Sequence, residues 1–427
     1  MPKDSSTSLA RRHFFKKGAA IAAAATLGTP QAFAADNVVR IGYISPRTGP
    51  FAPFSEADDF IIDQVRKSLA GGLSMGGKRY SVEVIARDDQ TNSDRASNLA
   101  AELINKDNID LLLCNSAVGP GAPQQCELND VPCVSTMTPW QAWLFPMKGD
   151  PSKGFKSAFH FFWGIEDIGG VFLDIWSGLS TNRILGTAFE NTVPGNAMGD
   201  PKLGMPAQFA KAGYTIIDAG RYPLGADDFS THIQAFKKAN AEVITGLFNP
   251  PEWATFMKQS IQMGFRPKVA TIAKAFLFPS GVAALGPRAD GMSTEIWWTP
   301  SYPFRSSITG QTSRQLAEAY STVSRREWTQ PLGVNHALFE AGIAALKASN
   351  DPKNPKAVAQ ALRTLRQDTV IGTLDFAGSG IKNVSKIRVV GGQWRLNAQG
   401  KPEIFITHNR SAPEIPVERP FEALKWA

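Results

Sequence analysis

The sequence predicts an α/β protein of two lobes, each a parallel sheet with helices on both faces. From Val38 onward, short apolar runs alternate with amphipathic stretches, and the same alternation restarts near Ile184. The chain's 427 residues also exceed what one core organises comfortably and suit two units of ordinary domain size.

In the first lobe, Val38–Ile44 and Val82–Arg87 read as strands with a helix over Glu56–Leu69 between them. Ala96–Lys106 reads as a helix, Ile109–Cys114 as a strand, Ala122–Leu128 as a helix and Pro132–Thr136 as extended. The second set runs through strands Ile184–Phe189, Thr215–Ala219, Val243–Leu247 and Val269–Ile272. Helices Pro206–Ala212, Phe229–Ala239 and Glu252–Met263 separate them, a βαβ grammar that implies a second sheet. Gly291–Ser307, rich in Trp, Pro and Tyr, reads as a crossover. Helices follow over Ser313–Arg326, Asn335–Ala348 and Pro355–Thr364, then strands over Ile387–Arg395 and Ile404–Thr407. Gly378–Gly380 and Gly391–Gly392 read as turns.

Ahead of this lies a leader, residues 1–34. Arg11-Arg12 and Lys16-Lys17 form a basic head, Gly18–Ala25 a short apolar stretch, and Ala32-Phe33-Ala34 a small-residue cleavage site. The apolar stretch is too short to span a bilayer. The order resembles a bacterial twin-arginine export signal, which implies cleavage near Ala34 and a periplasmic protein. The net charge is +7, but the leader holds +4 of it, leaving +3 on the 393 residues beyond. With no Lys/Arg run to follow a phosphate backbone, nucleic acid is not an expected partner.

Three cysteines, Cys114, Cys126 and Cys133, exclude a disulfide-built scaffold. Buried free thiols are one reading. A Cys126–Cys133 bridge is the other, with Cys114 at the opposite end of the sheet.

Little in the chain asks for catalysis. Gly72-Leu73-Ser74-Met75-Gly76 matches a G-x-S-x-G elbow, but a helix precedes it and a strand follows, the inverse of the required context, so it reads as a flexible loop. Beyond the leader the histidines, His160, His232, His336 and His408, are scattered singly. No H-E-x-x-H, paired C-x-x-C or Walker loop occurs, so neither a metal nor a cofactor is expected. Asp88-Asp89 reads as a turn or helix cap, since adjacent strand residues point to opposite faces.

An ordered set of segments resembles the periplasmic solute-binding proteins of branched-chain amino acid-type ABC transporters. Thr48-Gly49-Pro50-Phe51 resembles that family's S/T-G-P loop after the first strand. Asp88-Asp89-Gln90-Thr91 followed by Ala96–Ala101 resembles its next segment, and Asn115–Pro120 and Val131–Leu144 its following strand-end loops. Thr369–Phe376 resembles its late G-x-(L/I)-x-F strand. The resemblance implies the type I fold: two Rossmann-like lobes joined by three crossovers, with lobe 1 at 37–161 plus 299–384 and lobe 2 at 162–298 plus 385–427. It also implies a monomeric, non-enzymatic binder that delivers a small molecule to a membrane permease and its ATPase.

The resemblance further implies a site. Ser116-Ala117 and the Thr138–Trp140 loop would hold a ligand carboxylate, and Phe54 would wall the pocket. Trp140 stands where amino acid binders of the family usually carry a hydroxyl, and Trp163 and Trp143 add aromatic surface nearby, so an indole stacked on a planar ligand is expected. Phe248 and Asn249 are the contacts expected from lobe 2. The family's acidic partner for an ammonium group is replaced by Ala273-Lys274, which would attract an anion. The expected ligand is therefore a carboxylate with an aromatic or planar body. Two alternatives stay open: an amino acid whose ammonium meets Glu190 or Glu252, and a sensor on the same fold.

Overall fold

The computed structural model describes residues 37–426; the leader reading falls outside them. In the first lobe β1 (Val38–Ser45) leads through a 3-10 turn (Ala52–Ser55) to α1 (Asp58–Ser68). A hairpin joins β2 (Leu73–Met75) to β3 (Lys78–Asp88); then come α2 (Ser93–Asn105), β4 (Leu111–Asn115), α3 (Gly121–Leu128), β5 (Cys133–Thr136), α4 (Trp140–Leu144) and β6 (Ala158–Phe161). The chain crosses to the second lobe with α5 (Ile165–Ser177), β7 (Ile184–Glu190), α6 (Val193–Met198), α7 (Met205–Lys211), β8 (Thr215–Tyr222) and α8 (Ser230–Lys238). That lobe continues with β9 (Val243–Phe248), α9 (Pro250–Gln262), β10 (Val269–Lys274), α10 (Pro279–Ala283) and β11 (Ser293–Ile296). The chain returns with α11 (Ser313–Ser324), α12 (Gln330–Ser349), α13 (Pro355–Arg363), a β12 (Arg366–Thr369)–β13 (Gly372–Asp375) hairpin and β14 (Val384–Ser385). It crosses a third time to β15 (Val390–Leu396) and β16 (Pro402–His408).

Each lobe holds a seven-stranded sheet, ordered β14-β6-β5-β4-β1-β3-β2 and β16-β15-β11-β10-β9-β7-β8. Both are mostly parallel, but not wholly so. β2 runs antiparallel on β3, and β15 and β16 run antiparallel beyond β11. Central strands such as β4, Leu-Leu-Leu-Cys-Asn, are buried throughout, as a sheet covered on both faces requires. Ser385, assigned by sequence to the second lobe, pairs with Phe161 in the first sheet.

Local chemistry sets the helix starts. Asn92 accepts from the Arg95 amide at 2.8 Å to begin α2, and Thr312 and Gln315 cap α11 reciprocally. α12 is buried along nearly its whole length and packs on α1, β4 and β5, so Asn335, His336 and Glu340 are buried alongside its apolar residues.

Several expectations fall here. The Gly72–Gly76 loop holds β2, with Ser74 exposed on a hairpin edge. Gly391–Gly392 is the interior of β15 and not a turn. A Cβ on Gly392 would stand 2.2 Å from Ile296 Cδ1, and one on Gly391 2.6 Å from Ile175 Cγ1, so close packing requires the glycines. The aromatic crossover segment begins with strand β11. All three cysteines are free and buried, and Cys114 joins Cys126 and Cys133 in one apolar cluster instead of lying apart; no bridge forms. Among the described residues no helix is long and apolar enough to cross a membrane.

Candidate functional site

Facing carboxyl ends of the two sheets enclose a cavity of about 50 Å³. Its walls follow from topology, because side chains just past a parallel strand project over the sheet's carboxyl edge. Phe51 and Phe54 follow β1, Ala117 follows β4, Thr138 follows β5 and Trp163 follows β6. From the other lobe come Pro194 after β7, Leu247 in β9, Lys274 ending β10, and Glu295 and Trp297 at the end of β11.

The aromatic wall is continuous across the lobes. Phe54 meets Phe278 edge-on at 5.0 Å between ring centroids and lies near-parallel to Trp297 at 6.4 Å. Phe162 packs at 4.8 Å against both Trp163 and Trp297. Phe54 itself is fixed from behind: its carbonyl accepts from Asn335 Nδ2 at 2.9 Å and Asn115 Nδ2 at 3.2 Å.

Among the described residues, the wall carries one base, Lys274, and one acid, Glu295. Lys274 Nζ donates to both oxygens of buried Glu190, at 3.0 and 3.1 Å, and lies 4.3 Å from the centre of the Phe51 ring. Burial lowers the lysine's pKa, and the Glu190 charge opposes that shift. Its backbone is left-handed, φ +71°, an uncommon state for lysine. Glu295 has no such partner. Burial raises its pKa to about 8, so at neutral pH it carries a proton; its one side-chain bond is accepted from Thr294 Oγ1 at 2.9 Å.

The Thr138 loop is positioned by His160. Its Nε2 lies 2.9 Å from the Thr138 carbonyl and its Nδ1 2.9 Å from Ser135 Oγ, which assigns the ring proton to Nε2 and lets Ser135 donate to Nδ1. Burial lowers the His160 pKa to about 3, so the ring is neutral. This Ser–His pair is sealed inside the sheet and is not part of the cavity wall.

Of the residues expected from sequence, Phe54, Ala117, Thr138, Trp163 and Lys274 line the cavity. Four do not. Ser116 is turned into the sheet, its Oγ 3.5 Å from Cys114 Sγ. Trp140 donates through Nε1 to Glu166 at 3.0 Å and packs beside Phe145. Phe248 points to the helix side of β9, among Tyr222, Trp253 and Phe256, while its neighbour Leu247 faces the cleft, as strand alternation dictates. Asn249 caps α9 and reaches Glu190 at 3.2 Å, one layer behind the wall. Trp143 is likewise in the core, stacked on His160 at 5.0 Å. Sequence reasoning missed Phe51, Phe162, Glu295 and Trp297 as wall residues; recognising a strand that ends at Ile296 would have placed Trp297.

The periplasmic binding protein family matches residues 38–398. Among solved structures, a putative branched-chain amino acid ABC transporter protein from Silicibacter pomeroyi superposes with a TM-score of 0.72 at 16% identity, covering 91% of this chain and 100% of its own. The leucine-binding protein LivK of Thermotoga maritima gives 0.69 at 16% identity, covering 87% and 99%. A Rhodopseudomonas palustris solute-binding protein in complex with 3,4-dihydroxybenzoic acid gives 0.68 at 17% identity, covering 91% and 99%. Two crossed-over α/β lobes, a site between their carboxyl edges and a match over most of the chain agree: the chain belongs to the periplasmic binding protein family and has its type I fold.

Proposed function

We propose that this protein is the extracytoplasmic solute-binding component of an ABC importer, and that it encloses a small carboxylate with an aromatic body between its lobes. The observation that carries the reading is the Lys274–Glu190 pair. Lys274's own ammonium occupies the acid that a ligand ammonium would need, at 3.0 Å. Glu252 is also engaged, accepting from the Asn249 and Gly225 amides. Neither candidate acid is left for an amino acid, while Phe54, Phe162, Trp163 and Trp297 supply flat apolar surface. Solute-binding proteins of this fold that hold aromatic acids support the reading.

Family membership supports delivery of that solute to a membrane permease and its ATPase. Export by the twin-arginine route rests on the Arg11-Arg12 leader. The site residues we assign are Phe54, Ala117, Thr138, Trp163 and Lys274, joined by Glu295 and Trp297. One observation favours amino acid capture as a second reading: Glu295 is a carboxyl on the wall itself. A thermal-shift and calorimetric screen of benzoate, 4-hydroxybenzoate and leucine tests both. Stabilisation by the benzoates supports the first reading; stabilisation by leucine alone replaces it with the second.

A further inference from the structure

Two N–H donors of the wall lack acceptors. The indole Nε1 atoms of Trp163 and Trp297 are buried with no hydrogen-bond partner, although each side chain is 3% exposed and lines the cavity. Buried N–H groups are nearly always paired, so two orphans beside one cavity call for an explanation. Beside them on the wall stands the carboxyl of Glu295, bonded to Thr294 Oγ1, at the end of the strand that leads into Trp297.

Resting on the reading above, we propose that Glu295, Trp163 and Trp297 form a donor subsite that takes an oxygen acceptor of the ligand, a carboxylate or a ring hydroxyl, and rejects an ammonium group. An indole N–H can only donate. A protonated carboxyl adds an O–H donor, and burial keeps Glu295 in that form, with its pKa near 8. The surroundings do not reverse this. Lys274 on β10 is neutralised by Glu190 on β7, β15 places Gly391 opposite Glu295, and α12 presents uncharged Gln330 to its carbonyl. An ammonium would meet two N–H groups, and pairing it with Glu295 would require the carboxyl to release its proton to solvent. A carboxylate or hydroxyl oxygen can accept from these donors without any proton transfer.

Calorimetry with benzoate, 4-hydroxybenzoate and leucine, on wild type, E295Q and E295A, tests the proposal. Gln keeps an N–H donor, so E295Q is expected to hold the benzoates within about threefold of wild type and E295A to lose about tenfold. Loss confined to 4-hydroxybenzoate identifies the ring hydroxyl as the oxygen; equal loss for both identifies the carboxylate. Wild-type affinity for benzoate should fall about fourfold from pH 6.5 to 8.5 as Glu295 ionises, and stay flat in E295Q. Benzoate binding that is indifferent to both substitutions and to pH overturns the subsite and leaves the importer reading standing. Leucine binding abolished by E295Q overturns it as well, because Glu295 then acts as an anion. If no probe binds, the aromatic-acid reading and the subsite fall together.

Discussion

Lys274 and Glu190 form a buried ion pair at the floor of the cleft, with Nζ 3.0 and 3.1 Å from the two carboxylate oxygens. Thr192 Oγ1 and Asn249 Nδ2 also donate to Glu190, at 2.8 and 3.2 Å, so the acid is fully satisfied. Such a pair stabilises little over an apolar replacement, but breaking it strands a charge. Lys274→Met alone should lower unfolding stability by about 3–5 kcal/mol. The Lys274→Met/Glu190→Gln double variant should recover most of that loss. Urea denaturation of the four members of the cycle measures it; additive losses would show that the two side chains act independently.

Trp140 was expected to stack on ligand, and the structure removes that expectation. Its indole bonds Glu166, which also holds Lys386. Trp140→Ala should destabilise the protein by about 3 kcal/mol or more, the cost of an emptied aromatic site. Ligand affinity of the folded fraction should stay within about threefold. Trp163→Ala should do the reverse and weaken binding by about tenfold or more, since that ring lines the cavity. Calorimetry on both variants at a temperature well below their melting points decides between them.

Four buried carboxyls carry pKa values raised by desolvation: Asp58, Asp89 and Glu340 to about 7, and Glu295 to about 8. Each ionises in the unfolded chain near pH 4 but keeps its proton in the folded one up to 7 or 8. The folded state therefore binds more protons across that window, and stability falls as pH rises through it. His160 and His336 act oppositely. Their pKa values are lowered to about 3 and 4, so they cost stability only as pH drops below about 6.5, where the unfolded chain takes up protons. The melting temperature should accordingly rise on going from pH 8.5 to 6.5, and Asp58→Asn should flatten part of that rise. A melting temperature independent of pH over this range would count against the buried, protonated carboxyls.

Cys114, Cys126 and Cys133 are fully enclosed, and burial raises the thiol pKa of Cys114 and Cys133. They should be inert to a thiol reagent in the native protein. All three should react once it is unfolded in denaturant without reductant; one reacting thiol would instead reveal a Cys126–Cys133 bridge.

The fold was legible where burial repeats along the chain. The runs at Val38, Leu111, Val243 and Val269 became central strands because a sheet covered on both faces needs continuous apolar residues. The elements that escaped are short or break the usual rules. β6 and β11 have four residues each, too few to show a period. α5 contains Gly169-Gly170, which argue against a helix, yet both lie inside it, with Gly169 packed beside the Gln208 side chain. The site was legible only to the level of loops. Ser116 and Ala117 share a strand end but face opposite ways, as do Leu247 and Phe248, and a strand shifted by one residue exchanges wall for core. Glu295 was hidden for a different reason: nothing in its neighbours marks a carboxyl destined to be buried.

Phe51 belongs to one lobe and Lys274 to the other, and the ring sits over the ammonium at 4.3 Å. Parting the lobes therefore hydrates a cation that had been shielded by an aromatic face, and shutting them strips that water again. The consequence is one of timing. An arriving molecule waits for Phe51 to lift away from Lys274, so at high concentration capture would approach a ceiling set by that movement and no longer by collision. A stopped-flow trace that levels off with added ligand would be its signature, and Phe51→Ala would raise the plateau.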